Sequence, residues 1–274
     1  MTVGGVSAGY SGFSDLAGGS GSDTFTIGDN VTGSVLGGAG NDTVNYNAGT
    51  VGTLSGDGGS DELVGPNAVT TWTLDGAQSG SVGGQAFAAF ELITGNGSSD
   101  TFNFSNGASY TTVDGGNGTN AFTRRGQRRR CTGGTGSDTF TIDSTLTGTV
   151  TGGAGSDTLT GTQIDALTLT GSTANGFTGT EAQLSGFSEI DIVNGNGGTL
   201  TGDDVASTFT INDGGTSTYN DGTNTLTISG FDTYAGGSQT DTFNITGTTT
   251  SSLAGGGGSD HVQCKRERGR DDQR

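Results

Sequence analysis

Residues 18–27 read GGSGSDTFTI: a glycine-rich turn, an aspartate, then a short alternating apolar stretch. Variants return along the chain as GGAGND ending at Asp42, GDGGSD at Asp61, GNGSSD at Asp100, GGTGSD at Asp138, GGAGSD at Asp157, GGSQTD at Asp241 and GGGGSD at Asp260. Asp23 to Asp42 is 19 residues, as are Asp42 to Asp61, Asp138 to Asp157 and Asp241 to Asp260. The step from Asp61 to Asp100 is 39, close to two such periods. A fixed period with one recurring turn chemistry is the mark of a solenoid, in which each unit buries its apolar face only by stacking on its neighbours.

Within a period the apolar positions hold a steady phase. Two and four residues after the aspartate come Phe25 and Ile27, Val44 and Tyr46, Phe102 and Phe104, Phe140 and Ile142, Phe243 and Ile245. Period-2 alternation predicts a strand with one face inward. A Gly/Asn/Asp group such as Gly28-Asp29-Asn30 then supplies a turn, and a second strand carries Val31 and Val35, or Leu146 and Val150. Each coil therefore reads turn, strand, turn, strand, and stacked coils pair as parallel strands about 4.8 Å apart. The expected architecture is all-β, a parallel solenoid with coils of about 19 residues running as a single unit through residues 1–274. Residues 65–93 and 161–193 are two diverged coils, filled by Trp72, Leu74, Phe87 and Phe90 in the first and by Leu167, Leu169, Phe177, Leu184 and Phe187 in the second. Residues 202–228 read as two weaker coils around TFTI and TLTI. Residues 1–17 already resemble repeat material, so the chain is expected to be a piece of a longer protein.

Composition matters here because, with 57 glycines, one proline and 28% apolar residues, an ordinary globular core is hard to build; disorder is the alternative, and the repeat argues against it because a solenoid needs only a thin core. The net charge is −18, and all ten basic residues lie in two short runs, Arg124–Arg130 and Lys265–Arg274. Cys131, Cys264 and His261 sit in or beside the same runs. The remaining surface carries acids without bases, which repels nucleic acid and anionic membranes and calls for cations. No apolar stretch of membrane-spanning length occurs, no signal peptide follows Met1, and two cysteines make no disulfide framework.

The runs at 124–131 and 261–274 break the repeat. Codons can be chosen for Arg124 to Cys131 that, read one nucleotide later, give Gly-Gly-Ala-Asn-Val-Ala-Gly, close to GDNVTG at 28–33. Codons chosen for His261 onward give Thr-Phe-Asn-Val in the same way, restoring Asp-Thr-Phe after Asp260. Both runs are therefore read as frame-shifted, a reading that leaves Cys131, Cys264 and His261 without functional meaning; the alternative is a genuine basic patch or cleavage site. Sequencing the source DNA separates the two.

The repeated turn offers what calcium binds. Glycines let backbone carbonyls face a common centre, the aspartate adds a charged oxygen, and calcium takes six to eight such ligands. GGSGSDTFT and GGAGNDTVN resemble the GGxGxDxUx nonapeptide of calcium-binding RTX proteins. That resemblance implies a right-handed parallel β-roll, with Ca2+ held by Asp23, Asp42, Asp61, Asp100, Asp138, Asp157, Asp241 and Asp260. Each 19-residue coil has one such turn rather than the family's two, which is similar to the solenoid stretches of very large secreted bacterial adhesins, calcium-dependent ice-binding segments among them. The function so implied is a calcium-stabilised structural or adhesive segment of a secreted, cell-surface protein. Its expected partners are calcium ions and cell-surface glycans or a host or biofilm matrix, without nucleic acid, membrane insertion or catalysis. One alternative is an ice-binding solenoid, suggested by outward threonines at Thr24 and Thr26, Thr139 and Thr141, Thr168 and Thr170, and Thr242. Another is a polysaccharide-cleaving β-helix enzyme, disfavoured because the chain outside the two runs has no Lys, Arg or His to set beside its carboxylates.

Overall fold

The computed structural model describes residues 2–3, 6–7, 14–105, 107–124, 130–212 and 215–264. Among these the chain is all-β, without a helix, and its strands gather into two long sheets and a short one. The first long sheet stacks Thr24–Ile27, Thr43–Tyr46, Glu62–Val64, Leu92–Thr94, Thr112–Asp114, Arg130–Thr135 and Leu146–Ala154 in parallel. The second stacks Thr71–Gly76, Thr101–Phe104, Ala121–Arg124, Thr139–Ile142, Thr158–Thr160 and Ile192–Asn194 in the same manner. A three-stranded sheet, Leu16–Gly19, Val31–Ala39 and Val51–Gly58, precedes the second and joins it through a bridge between Ser55 and Ala88. The chain alternates between the two sides, so the architecture is β-solenoid-like, with long parallel sheets.

The core is the strip between the sheets, and it follows the expected phase. Phe25, Val44, Phe102, Phe140 and Phe243, each two residues after its aspartate, are all buried, as are Val35 and Val150 on the second strands. Because parallel register places equivalent residues above one another, the rings stack. Trp72, Phe102, Phe122 and Phe140 form one column with centroids 5.7, 4.8 and 4.7 Å apart, and Phe209 lies on Phe243 at 4.9 Å. Each such pair contributes about 0.5–1.5 kcal/mol beyond its area burial.

The diverged segments depart from a simple coil. Thr71–Gly76, Ser79–Val82 and Gln85–Phe87 form an antiparallel meander, and so do Ala166–Thr173, Gly176–Glu181 and Leu184–Ile190. The two weak coils expected over 202–228 are instead partly a third meander, Thr208–Ile211, Ser217–Asn220 and Thr225–Ser229, within the second sheet. All three follow one plan. The chain first lays down the strand that faces the coming coil, then doubles back so that its third strand lies beside the coil already built. Three strands running up, down and up return the chain in its original direction, so parallel stacking resumes on both sides. The bulky residues of these segments are interior: Trp72, Leu74, Phe87, Phe90, Leu167, Leu169, Phe177, Leu184 and Phe187 are buried and present no aromatic platform outward. Tyr219 ties the third meander down, its ring against Phe177 and Phe209 and its hydroxyl donating to the Asp203 carboxylate.

Candidate metal centre: the aspartate columns

Each glycine-rich turn is shaped by two constraints. Except at Gly237, the second residue of the turn takes a positive φ, as at Gly19 (117°), Gly38 (104°), Gly134 (101°) and Gly153 (108°). Asp57 (65°) and Asn96 (92°) stand at that place in two coils, and Asp and Asn are among the non-glycine residues that best tolerate the left-handed region. The first residue has no room for a side chain. A methyl group on Gly37 would lie 2.4 Å from Asp42 Oδ2 and 2.4 Å from the Gly56 carbonyl oxygen; on Gly133 the distances would be 2.3 Å to Asp138 Oδ2 and 2.5 Å to the Gly152 oxygen. The carboxylate of one coil and the carbonyl of the next thus converge on the same glycine Cα.

The other carboxylate oxygen links coils. The Asp23 N–H donates to Asp42 Oδ1 at 2.8 Å, Asp42 N–H to Asp61 Oδ1 at 2.7 Å, Asp138 N–H to Asp157 Oδ1 at 2.8 Å, and Asp241 N–H to Asp260 Oδ1 at 3.0 Å, each across 19 residues. The aspartates therefore point inward along the stack rather than capping their own turns. Asp42, Asp61, Asp100, Asp138, Asp157 and Asp241 are at most 1% exposed, while Asp23 and Asp260 are partly exposed. In those six buried residues Oδ2 is enclosed and has no hydrogen-bond donor.

The eight expected residues do not form one row. Asp23, Asp42 and Asp61 lie where the chain passes from the short sheet to the first sheet, and their column continues into Glu91, whose carboxylate accepts the Asp61 N–H at 2.7 Å across 30 residues. Asp100, Asp138 and Asp157 lie at the opposite turn, where the chain passes from the first sheet to the second. That column starts at Thr70, runs through Asn120 and ends at Asp191, which accepts the Asp157 N–H at 2.9 Å across 34 residues. Asp241 and Asp260 continue on the second side beyond the third meander, headed by Ser207, whose hydroxyl donates to Asp241 Oδ1 at 2.5 Å. The interval of 39 between Asp61 and Asp100 is accordingly not two coils. It is one coil enlarged to 30 residues by a hairpin, plus the half coil that changes sides.

Glu91 and Asp191 were not among the expected residues. Their signal was present: an acid two places before a buried residue, Ile93 and Val193, the spacing that Asp61 keeps to Leu63. It lacked only the glycine-rich turn.

Burial raises the carboxyl pKa values. Desolvation pushes Asp100 and Asp157 up to about 7 and Asp138 up to about 6, against the hydrogen bonds they accept from the backbone; Asp138, Asp191 and Glu189 push Asp157 further. Asp61 and Asp191 are raised for the same leading reason. Neighbouring charges one coil apart, about 4.8 Å, repel by roughly 3 kcal/mol at an effective dielectric near 20. The columns therefore call for a proton or a cation.

Among the described residues no three of His, Cys, Asp and Glu gather as a metal-binding group. The donors that do gather, an unpartnered Oδ2 and a backbone carbonyl of the next coil, are hard oxygens of the kind calcium takes, and they fit such an ion in chemical type. In the basic runs, Cys131 is buried in register between Val113 and Val150, and His261–Cys264 pairs with Thr242–Ile245. Residues 125–129 and 265–274, on which the frame-shift reading mainly falls, lie outside the described residues. No protein-family model matches the chain, and no curated protein matches it.

Proposed function

We propose that the chain is a structural repeat segment, a rod whose inward aspartate columns are neutralised by calcium, serving as a stalk or adhesive region of a secreted, surface-attached protein. The observation that carries this reading is the set of buried Oδ2 atoms, enclosed beside backbone carbonyls with no donor. A single orphaned carboxylate is a local defect; a repeated one is a demand for positive charge. The RTX-like turn motif supports calcium over other cations, and the preference of parallel crossovers for one hand supports a right-handed roll. Function is then collective, since one turn offers too few oxygens and a stack makes a stiff element to which glycans or matrix attach. Chelation is expected to abolish the strand signal in circular dichroism and added calcium to restore it, because an ion that binds only the folded state stabilises it. An unchanged spectrum refutes the ion's structural role.

A second reading, an ice-binding face, is favoured by register. On the outer side of the second sheet, Thr71, Thr101, Ala121, Thr139 and Thr158 form one rank, and Thr73, Asn103, Thr123, Thr141 and Thr160 the next. Thr24, Thr26, Thr168 and Thr170 belong to the other sheet. Paired ranks of small hydroxyl and methyl groups offer water a regular, uncharged template, although threonine is also simply a good strand former. Thermal hysteresis measured on the full chain decides it, and its absence ends this reading.

A further inference from the structure

We propose that Asn120 takes the place of a bound cation, so that its coil closes without an ion and the second aspartate column is divided into two separately loaded segments. This rests on the calcium reading above.

Asn120 is a near-isosteric replacement in an otherwise unchanged ladder. Its Oδ1 accepts the Asp100 N–H at 2.8 Å, and its own N–H donates to Asp138 Oδ1 at 2.6 Å, as an aspartate's would. It is fully buried, like its neighbours in the column. The difference is confined to the second side-chain atom. A methyl group on Gly115 would meet Asn120 Nδ2 at 2.6 Å and the Gly133 carbonyl oxygen at 2.6 Å, the same arrangement that Gly37 shows toward Asp42 Oδ2 and Gly56. In the aspartate coils both atoms are acceptors and Oδ2 is left without a partner. At Asn120 the amide donates to the Gly133 carbonyl at 3.2 Å, with longer contacts to the carbonyls of Asn117 at 3.4 Å and Gly118 at 3.5 Å.

The amide thus supplies the hydrogens that an ion's charge would otherwise replace. It also interrupts what would be an unbroken acidic run through Asp100, Asp138, Asp157 and Asp191, leaving Asp100 between neutral Thr70 and neutral Asn120. Like charges one coil apart repel and opposite or neutral partners do not, so one amide relieves two neighbouring contacts. The turn at residues 115–120 is then the part of the stack that keeps its geometry when calcium is removed.

The test uses the full chain and two variants, Asn120→Asp and Asp42→Asn, the latter in the other column between ordinary 19-residue coils. Calcium binding is measured by titration calorimetry, and thermal melting with calcium and in chelator gives a calcium-dependent gain in Tm. Asn120→Asp is expected to add a calcium site and widen that gain. Asp42→Asn is expected to remove a site and narrow the gain, with a higher Tm in chelator than the parent chain. If the parent chain binds calcium but neither variant changes the stoichiometry, the amide is not an ion substitute and the inference fails while the calcium reading stands. If the parent chain binds no calcium, both fail. Should Asn120→Asp not fold even in calcium, Asp42→Asn alone decides: a Tm in chelator below the parent's overturns the proposal.

Discussion

Gly133 and Gly21 both stand in glycine-rich turns, yet a methyl group would meet opposite surroundings at the two. At Gly133 it would strike Asp138 Oδ2 and a backbone carbonyl at 2.3 and 2.5 Å; at Gly21 nothing lies within 4 Å. Gly133→Ala is expected to cost about 1–3 kcal/mol or more, because backbone cannot retreat from an overpacked contact. Gly21→Ala should stay within about 0.5 kcal/mol of the parent. Urea midpoints of the two variants check the contrast, and equal losses would show that the turn is not held by close approach at its first residue. At this scale the spacing of the aspartates was legible, but their direction was not. A turn aspartate that caps its own loop and one that reaches the next coil have the same sequence; only coil-to-coil register sends Oδ1 of Asp42 to the N–H of Asp23. The glycine turn does not mark Glu91 and Asp191, because the ladder needs only an acid two places before an inward apolar residue.

At the scale of elements, alternation around each aspartate identified the strands of the regular coils, since period 2 specifies one buried face. It could not identify the meanders. An antiparallel strand and a parallel one alternate alike, so TFTI at 208–211 and TLTI at 225–228 read as successive coils, although Ser217–Asn220 pairs between them. The change of side had a similar cause: a hairpin lengthening one coil to 30 residues brought Asp100 near the position two periods would give. What the elements share is the aromatic column. Phe122 is fully buried and stacked on both sides, at 4.8 Å from Phe102 and 4.7 Å from Phe140. Phe122→Ala is expected to lower stability by about 3–5 kcal/mol, through lost transfer energy and a cavity that parallel strands above and below cannot close. Denaturant melts measure it; a loss under about 1 kcal/mol would mean that the stack is not the cohesive element.

For the molecule as a whole, charge sets the terms. A chain of net charge −18 folds inward carboxyls into columns, and on the calcium reading proposed above protons and cations compete for the same oxygens. The sign of the pH dependence follows from the raised pKa values. Asp100 and Asp157, at about 7, and Asp138, at about 6, bind protons more tightly in the fold than at the ordinary 3.8. Their contribution to stability is therefore full below about pH 4 and is lost as pH rises through 6 to 7. Calcium-free chain should melt at progressively lower temperature from mildly acidic to neutral pH, the reverse of a protein held by salt-bridged aspartates. With calcium present the decline should flatten, because the ion replaces the departing proton and its own binding improves as the carboxyls ionise. Two series of melts across that range, with and without calcium, distinguish the possibilities. Parallel declines would leave the proton as the columns' only partner. A decline confined to the calcium-free series makes the rod one that stands at neutral pH only where calcium is present, and softens where it is withdrawn.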